Sequence, residues 1–329
     1  MRSNNIKKIL FITLSNIGDV VLTLPVLSCL KENFTGAKID VVVGPRPKEV
    51  FAKDPRIGTV FVYDKHADLK EKFSFIKKLR GQNYDMAVDM RGSLIPVLIG
   101  AKKRFSQLFS LKNTGNTHKK STHLDILKGF EIDYKDKGRN LYIDDKDRER
   151  MNKMLIEAGI NKGDSLIGIS PSSKGPLKQW KLQGFVEVIK GTLGIKPGHF
   201  KVVLIGDDKQ TGRANKIKDG VDSSDLVDLT GKITLNELFA LVDMMDILLT
   251  CDSASLHIAC DLGTKVVSIF GPTDFEEYGP TGKHDKVIRK ILECSPCKKA
   301  QCELRHECME DISAREVLDS VKKVLGAST

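Results

Sequence analysis

The strongest constraint on this chain is an alternation of short apolar runs with longer helical segments, which occurs twice. In the first block, runs at 9–14, 39–43, 59–62 and 86–88 are rich in Ile, Val, Leu and Phe, and segments at 20–32, 48–53, 69–79 and 94–100 follow them in turn. The second block has strand-like runs at 166–169, 202–205, 226–228, 247–249 and 265–269, with helical segments at 182–193, 235–242 and 255–261. Runs that are apolar throughout, with no polar alternation, belong to strands buried on both faces. Repeated βα units with short loops therefore predict parallel sheets covered by helices on both sides. Between the blocks, the hydrophilic YIDDKDRERM at 142–151 reads as a linker or the start of an exposed helix. The expected fold class is α/β: two Rossmann-like domains, 1–155 and 156–329, with parallel sheets facing a central cleft.

The totals agree with that reading and exclude several classes. A chain of 329 residues is long enough for two cores, and 40% hydrophobic with 29% charged residues describes a soluble globular protein. The most apolar stretch, 20–30, is broken by Thr23, Pro25 and Ser28 and is too short to cross a bilayer. The basic N-terminus is not followed by an apolar segment with a small-residue cleavage site. The expectation is a cytoplasmic protein, with a peripheral position on a membrane left open. A net charge of +10 suits an acidic partner, whether nucleic acid, an anionic membrane face or a phosphorylated substrate; it also suits a solvated lysine-rich surface. Neither G-x-G-x-x-G after a strand nor G-x-x-x-x-G-K-[ST] occurs, which weighs against dinucleotide oxidoreductases and P-loop ATPases.

Three segments stand where open α/β sheets place their ligands, at strand ends that turn into helices. In LFITLSNIGDVVLTLP (10–25), Gly18 permits close approach of backbone to a ligand. Asp19 is there either a helix N-cap or a functional carboxylate. In GISPSSKGPLKQWKLQGF (168–185), the hydroxyls of Ser172 and Ser173 and the ammonium of Lys178 suit a diphosphate, and Trp180, the only tryptophan, suits a core anchor. In TCDSASLHIACDLGTKVVSIFGPTD (250–274), Asp252, Ser253 and Ala254 open a helix whose N-terminus can bind phosphate, with His257 close by. Read alone, Asp252 is equally a cap and His257 a packed core histidine.

Taken in order, G-D-V-V-L-T-L-P, S-P-S-S…K-Q-W and D-S-A-S-L-H-I-A…F-G-P-T-D resemble glycosyltransferase family nine, the ADP-heptose–lipopolysaccharide heptosyltransferases, over nearly the whole chain. The resemblance implies a GT-B fold and inverting transfer that requires no metal. It implies an acceptor held by the first domain and a nucleotide-sugar donor held by the second. Asp19 then becomes the general base, and Lys178 supports the leaving group. Ser172, Ser173, Lys178, Asp252, Ser253, Ala254 and His257 would hold the donor. The resemblance further implies an anionic lipid-linked saccharide acceptor, contact with a membrane surface and no nucleic-acid partner. Ala254 stands where the family commonly has glycine, and Lys181 where proline usually follows the tryptophan. A metal-dependent transferase would carry D-x-D beside a strand end, whereas Asp145 and Asp147 fall in the hydrophilic linker.

Between 91 and 124, Arg91, Lys102, Lys103, Arg104, Lys112, Lys119 and Lys120 gather with no acidic residue. With the resemblance, this reads as a basic surface for an anionic acceptor, with Gly18, Arg91, Lys102, Lys103 and Arg104 as acceptor contacts. Of seven cysteines, Cys29, Cys251 and Cys260 sit in apolar periodic segments and read as core. Cys294, Cys297, Cys302 and Cys308 are spaced C-x₂-C-x₄-C-x₅-C around His306. They admit a structural metal, an iron–sulfur cluster or plain thiols. Rival functions are transfer of another nucleotide-activated sugar, non-catalytic binding of a polyanion or sugar nucleotide, and redox chemistry at the cysteines.

Overall fold

Ile9, Leu10, Phe11 and Ile12 are all fully buried, as a strand covered on both faces must be. They belong to β1 (Lys8–Ile12), the middle strand of a parallel five-stranded sheet ordered β3-β2-β1-β4-β5. Its other strands are β2 (Lys38–Val43), β3 (Ile57–Val62), β4 (Met86–Asp89) and β5 (Lys103–Ser106). The helices are α1 (Ile17–Asn33), α2 (Leu69–Arg80), α3 (Ile95–Leu98) and α4 (Lys119–Leu124). The computed structural model describes residues 6–106, 118–132, 134 and 136–326; Lys112 of the basic segment lies outside them. β5 was not expected: its charged sequence, KRFS, gives an edge strand no apolar signature.

A second parallel sheet has six strands in the order β11-β10-β9-β6-β7-β8. These are β6 (Ser165–Ser170), β7 (Phe200–Leu204), β8 (Leu226–Asp228), β9 (Ile247–Cys251), β10 (Lys265–Ile269) and β11 (Lys286–Ile288). The accompanying helices are α5 (Asp145–Glu157), α6 (Leu182–Leu193), α7 (Thr211–Val221), α8 (Leu235–Asp243), α9 (Ala254–Leu262), α10 (Phe275–Tyr278), α11 (Glu307–Glu310) and α12 (Ala314–Leu325). Both sheets follow the expected βα alternation, so the α/β class with two Rossmann-like units is what the chain forms.

The chain divides into Met1–Tyr142 and Ile143–Thr329, thirteen residues before the expected border at 155. α5 accounts for the difference. Its hydrophilic sequence hides a buried stripe of Met151 and Leu155. Arg148 Nη1 reaches Asp243 Oδ2 at 2.8 Å and Arg150 Nε reaches Glu237 Oε1 at 2.8 Å, fastening it to α8 of the second unit. Asp145 and Asp147 lie in its first turn, behind the N-cap Asp144.

Trp180 is a core anchor. It is buried, lies edge-on to Phe185 with ring centroids 5.0 Å apart, and its indole N–H donates to the Ile312 carbonyl at 3.1 Å. A Cβ on Gly184 would come within 2.5 Å of the indole ring. Gly→Ala inside a helix normally gains about 0.5–1 kcal/mol. Here Gly184→Ala is expected to lose about 1–3 kcal/mol, because the pinned ring has no room to yield. Urea denaturation midpoints check this, and a stabilised variant would contradict the packing.

Candidate active site

At the carboxyl edge of the first sheet, β1 ends and α1 begins within five residues, at Ile17. Asn16, in extended backbone, is the N-cap residue, so Asp19 is not the cap. Asp19 stands in the first turn, half-buried, and accepts a 2.8 Å hydrogen bond from Asn16 Nδ2. Gly18 is buried beside it. Negative charge is favoured at a helix N-terminus, so a carboxylate suits this position.

Arg91, just past β4, also stands at this edge. Its guanidinium lies 5.0 Å above the Tyr63 ring, and its Nη1 is buried with no hydrogen-bond partner. Asp89 shapes the turn, accepting from the Arg91 and Ser93 backbone N–H groups. Lys102 and Lys103 are not brought to this edge. They sit at the amino end of β5, where Lys103 is level with Met86 at the start of β4. There Lys102 Nζ pairs with Asp85 Oδ1 at 2.7 Å. Arg104, next along β5, is exposed.

His123 was not singled out by any sequence signal, and α4 carries it, buried, against α1. Burial first, then the charge of Lys119, pushes its imidazole down to about 4, against the pull of Asp19 and with a smaller push from His118. A neutral imidazole therefore lies within electrostatic reach of Asp19 at pH 7, leaving the carboxylate uncompensated by that ring.

The carboxyl edge of the second sheet gathers the remaining candidates. Lys178 Nζ pairs with Asp252 Oδ2 at 2.6 Å, joining segments 74 residues apart. Ser173 Oγ donates to the Asp252 carbonyl at 2.6 Å, and Ser170 Oγ donates to Ser255 Oγ at 3.1 Å. Ser253 is the N-cap residue of α9 but makes no side-chain cap; its hydroxyl lies 2.9 Å from that of Thr250. The first-turn N–H groups from Ala254 onward thus have no intrahelical acceptor, which makes this end of α9 an anion cradle. Ser172 Oγ is buried without a partner. His257 is buried, with its ring 6.4 Å from that of Tyr278.

Arg213 is a second residue the sequence did not reveal. Its Nη2 donates to the carbonyls of Pro171 at 3.2 Å and Trp180 at 3.0 Å, clamping the loop that carries Ser172, Ser173 and Lys178. Its Nε is buried without a partner, as is Thr230 Oγ1 after β8. The cysteine-bearing tail also braces this edge. Ser295 Oγ donates to the Gly271 carbonyl at 2.6 Å, Lys298 N donates to the Pro272 carbonyl at 2.9 Å, and His306 Nε2 lies 2.7 Å from the Leu177 carbonyl.

The cysteines are all thiols. Cys29 and Cys251 are buried as expected, and burial pushes Cys251 up to about 12, so it stays protonated. Cys308 is buried and pushed up to about 11 by burial, then by Cys297, Cys302 and Cys294. Among the described residues, no three or more His, Cys, Asp or Glu side chains are grouped to hold a metal ion.

The sequence profile of glycosyltransferase family 9 (heptosyltransferase) matches residues 72–307, more than half of the chain. The chain belongs to glycosyltransferase family 9. The matched span contains the whole second-sheet edge, while Asp19 precedes it. Lipopolysaccharide heptosyltransferase 3 of Escherichia coli is 30% identical over 280 residues, covering 78% of this chain and 81% of the relative. Lipooligosaccharide heptosyltransferase 2 of Campylobacter jejuni (serotype O:6) is 24% identical over 314 residues, covering 94% of this chain and 96% of that protein. Among solved structures, a family 9 glycosyltransferase from Veillonella parvula superimposes with a TM-score of 0.83 at 21% identity, covering 98% of both chains. The E. coli ADP-heptose lps heptosyltransferase II does so at 0.76 and 20% identity, covering 97% of this chain and 98% of its own. The fold is GT-B, and the chain is a family 9 glycosyltransferase.

The depressed His123 pKa predicts a pH-dependent stability. An unfolded imidazole takes up its proton near 6.5 and the folded one only near 4. The unfolded state therefore binds more protons in that window, and stability falls as pH drops through it. The loss should be on the order of 3 kcal/mol, and His123→Gln should remove that part of it. Denaturant midpoints at pH 7.5 and 4.5 test this, and equal acid losses in both proteins would contradict it.

Proposed function

We propose that this family 9 glycosyltransferase moves a heptose from ADP-heptose to a sugar hydroxyl of a lipopolysaccharide core acceptor, with inversion and without a metal ion. The observation that supports the reading is that the family match spans an edge whose groups suit a diphosphate. There a helix N-terminus, the Lys178–Asp252 pair and the buried Ser172 hydroxyl converge. Relatives named as lipopolysaccharide heptosyltransferases support the choice of sugar and acceptor.

In this reading the acceptor hydroxyl oxygen attacks the anomeric carbon as its bond to the diphosphate oxygen breaks. The hydroxyl proton passes to the carboxylate of Asp19. The charge growing on the departing ADP is met by Lys178 and by the N–H groups of Ala254 and its neighbours, donors already in place before reaction. Ser172, Ser173, Ser253 and His257 line the donor side, and Arg91 offers its unpaired Nη1 to an anionic acceptor group. Among the described residues no helix is long and apolar enough to cross a membrane. The lipid-linked acceptor supports a peripheral position on the cytoplasmic face of the inner membrane.

Asp19→Asn separates the base from every other contribution. The amide keeps the size and cannot take the acceptor's proton, and since Asn16 is the cap the helix loses little. The variant should bind ADP with wild-type affinity and transfer heptose at least roughly a hundredfold more slowly, as loss of a general base costs about 10²–10⁴-fold. Calorimetry and a coupled ADP-release assay read the two quantities. Full transfer by the variant would remove Asp19 from the chemistry.

A further inference from the structure

One face of the first unit carries a layer shared by α2 and α3. The chain steps from β3 to β4 and from β4 to β5 in the same direction across the sheet, and right-handed crossovers put both connecting helices on one side. Their inward residues agree: Phe75, Ile76 and Leu79, with Ile95 and Ile99, share one core with the sheet residues Leu10 and Ala87.

The outward side of that layer sets apolar side chains among its charged ones. Leu69 is 84% exposed, Phe73 74%, Leu94 58% and Leu98 52%, with Val97 exposed as well. Of nine large apolar side chains exposed among the described residues, these are five. Single exposed apolar residues need no explanation, whereas a group on one layer marks a surface that is covered in use. Leu69 and Phe73 stand one turn apart on α2, so they form a stripe. Around the stripe the charge is positive: α2 carries Lys70, Lys72, Lys77, Lys78 and Arg80 against Glu71.

We propose that this face docks the protein on a bilayer of anionic phospholipid. Apolar side chains enter the acyl boundary while lysines and arginines reach the headgroups, as in interfacial helices that lie on a membrane without spanning it. Charge complementarity selects this occupant. Two copies of so basic a face repel one another, whereas an anionic bilayer attracts it. The inference rests on the reading of the acceptor as lipid-linked, since such an acceptor holds the reaction at a membrane.

Sedimentation of the full chain with phosphatidylcholine vesicles, with and without phosphatidylglycerol, tests the proposal. The wild type should bind the anionic vesicles at least about tenfold more strongly than the neutral ones, and less strongly as salt is raised. The triple variant Leu69→Ser, Phe73→Ser, Leu98→Ser should lose at least about tenfold of that binding. It should still transfer heptose to a lipid-free core oligosaccharide at the wild-type rate, which establishes that it is folded. Vesicle binding needs neither donor nor acceptor, so the docking face can be tested even on a chain that proves to transfer no heptose. Equal binding by wild type and variant, or no preference for anionic vesicles, overturns the proposal. A lipid-free dimer of the wild type that the variant dissociates overturns it in favour of a second copy of the chain.

Discussion

The second unit's edge depends on Asp252. Its carboxylate holds the ammonium of Lys178 and its carbonyl receives the hydroxyl of Ser173, so one residue after β9 fixes the loop after β6 at two points. Asp252 is nearly buried, and a buried carboxylate without its cation is strongly unfavourable. The lysine is therefore held in place before any ligand arrives, half-exposed and beside the start of α9. That is preorganisation: the position of the ammonium is fixed by interactions the protein makes with itself. Arg213 and the cysteine-bearing tail hold the same loop and its neighbour by hydrogen bonds, which gives these segments a structural purpose.

Much of this was legible in the sequence because parallel βα architecture writes itself as apolar runs with loops at one edge. The same rule placed Asp19, Ser172, Lys178 and Asp252 at strand ends. What it left open was whether Asp19 is a cap. The run of apolar residues begins at Val20, while the helix begins at Ile17, so the true cap, Asn16, was hidden because Gly18 and Asp19 make the first turn read as loop.

The residues that escaped did so for tertiary reasons. His123 lies in a basic stretch that reads as solvated, and only the packing of α4 on α1 buries it. Arg213 sits on a helix of low hydrophobicity, TGRANKIKDGV, whose buried face is just Ala214, Ile217 and Val221. Lys102 and Lys103 follow Arg91 closely in sequence, but the return of the chain through α3 carries them to the opposite end of the sheet. Proximity along a chain says little once a crossover intervenes. The border at 142 was hidden because a charged outer surface on α5 concealed its apolar stripe.

The central claim is direct, metal-free displacement of ADP by an acceptor hydroxyl. Its most direct test is incubation of the purified chain with ADP-heptose and a heptose-deficient lipopolysaccharide core, in the presence of EDTA. Mass spectrometry would follow the acceptor, and NMR would give the configuration of the new glycosidic bond. The account predicts ADP released in equal amount to acceptor extended by a single heptose, with the anomeric configuration opposite to the donor's. Retained configuration, or transfer that stops until a divalent cation is restored, would contradict it.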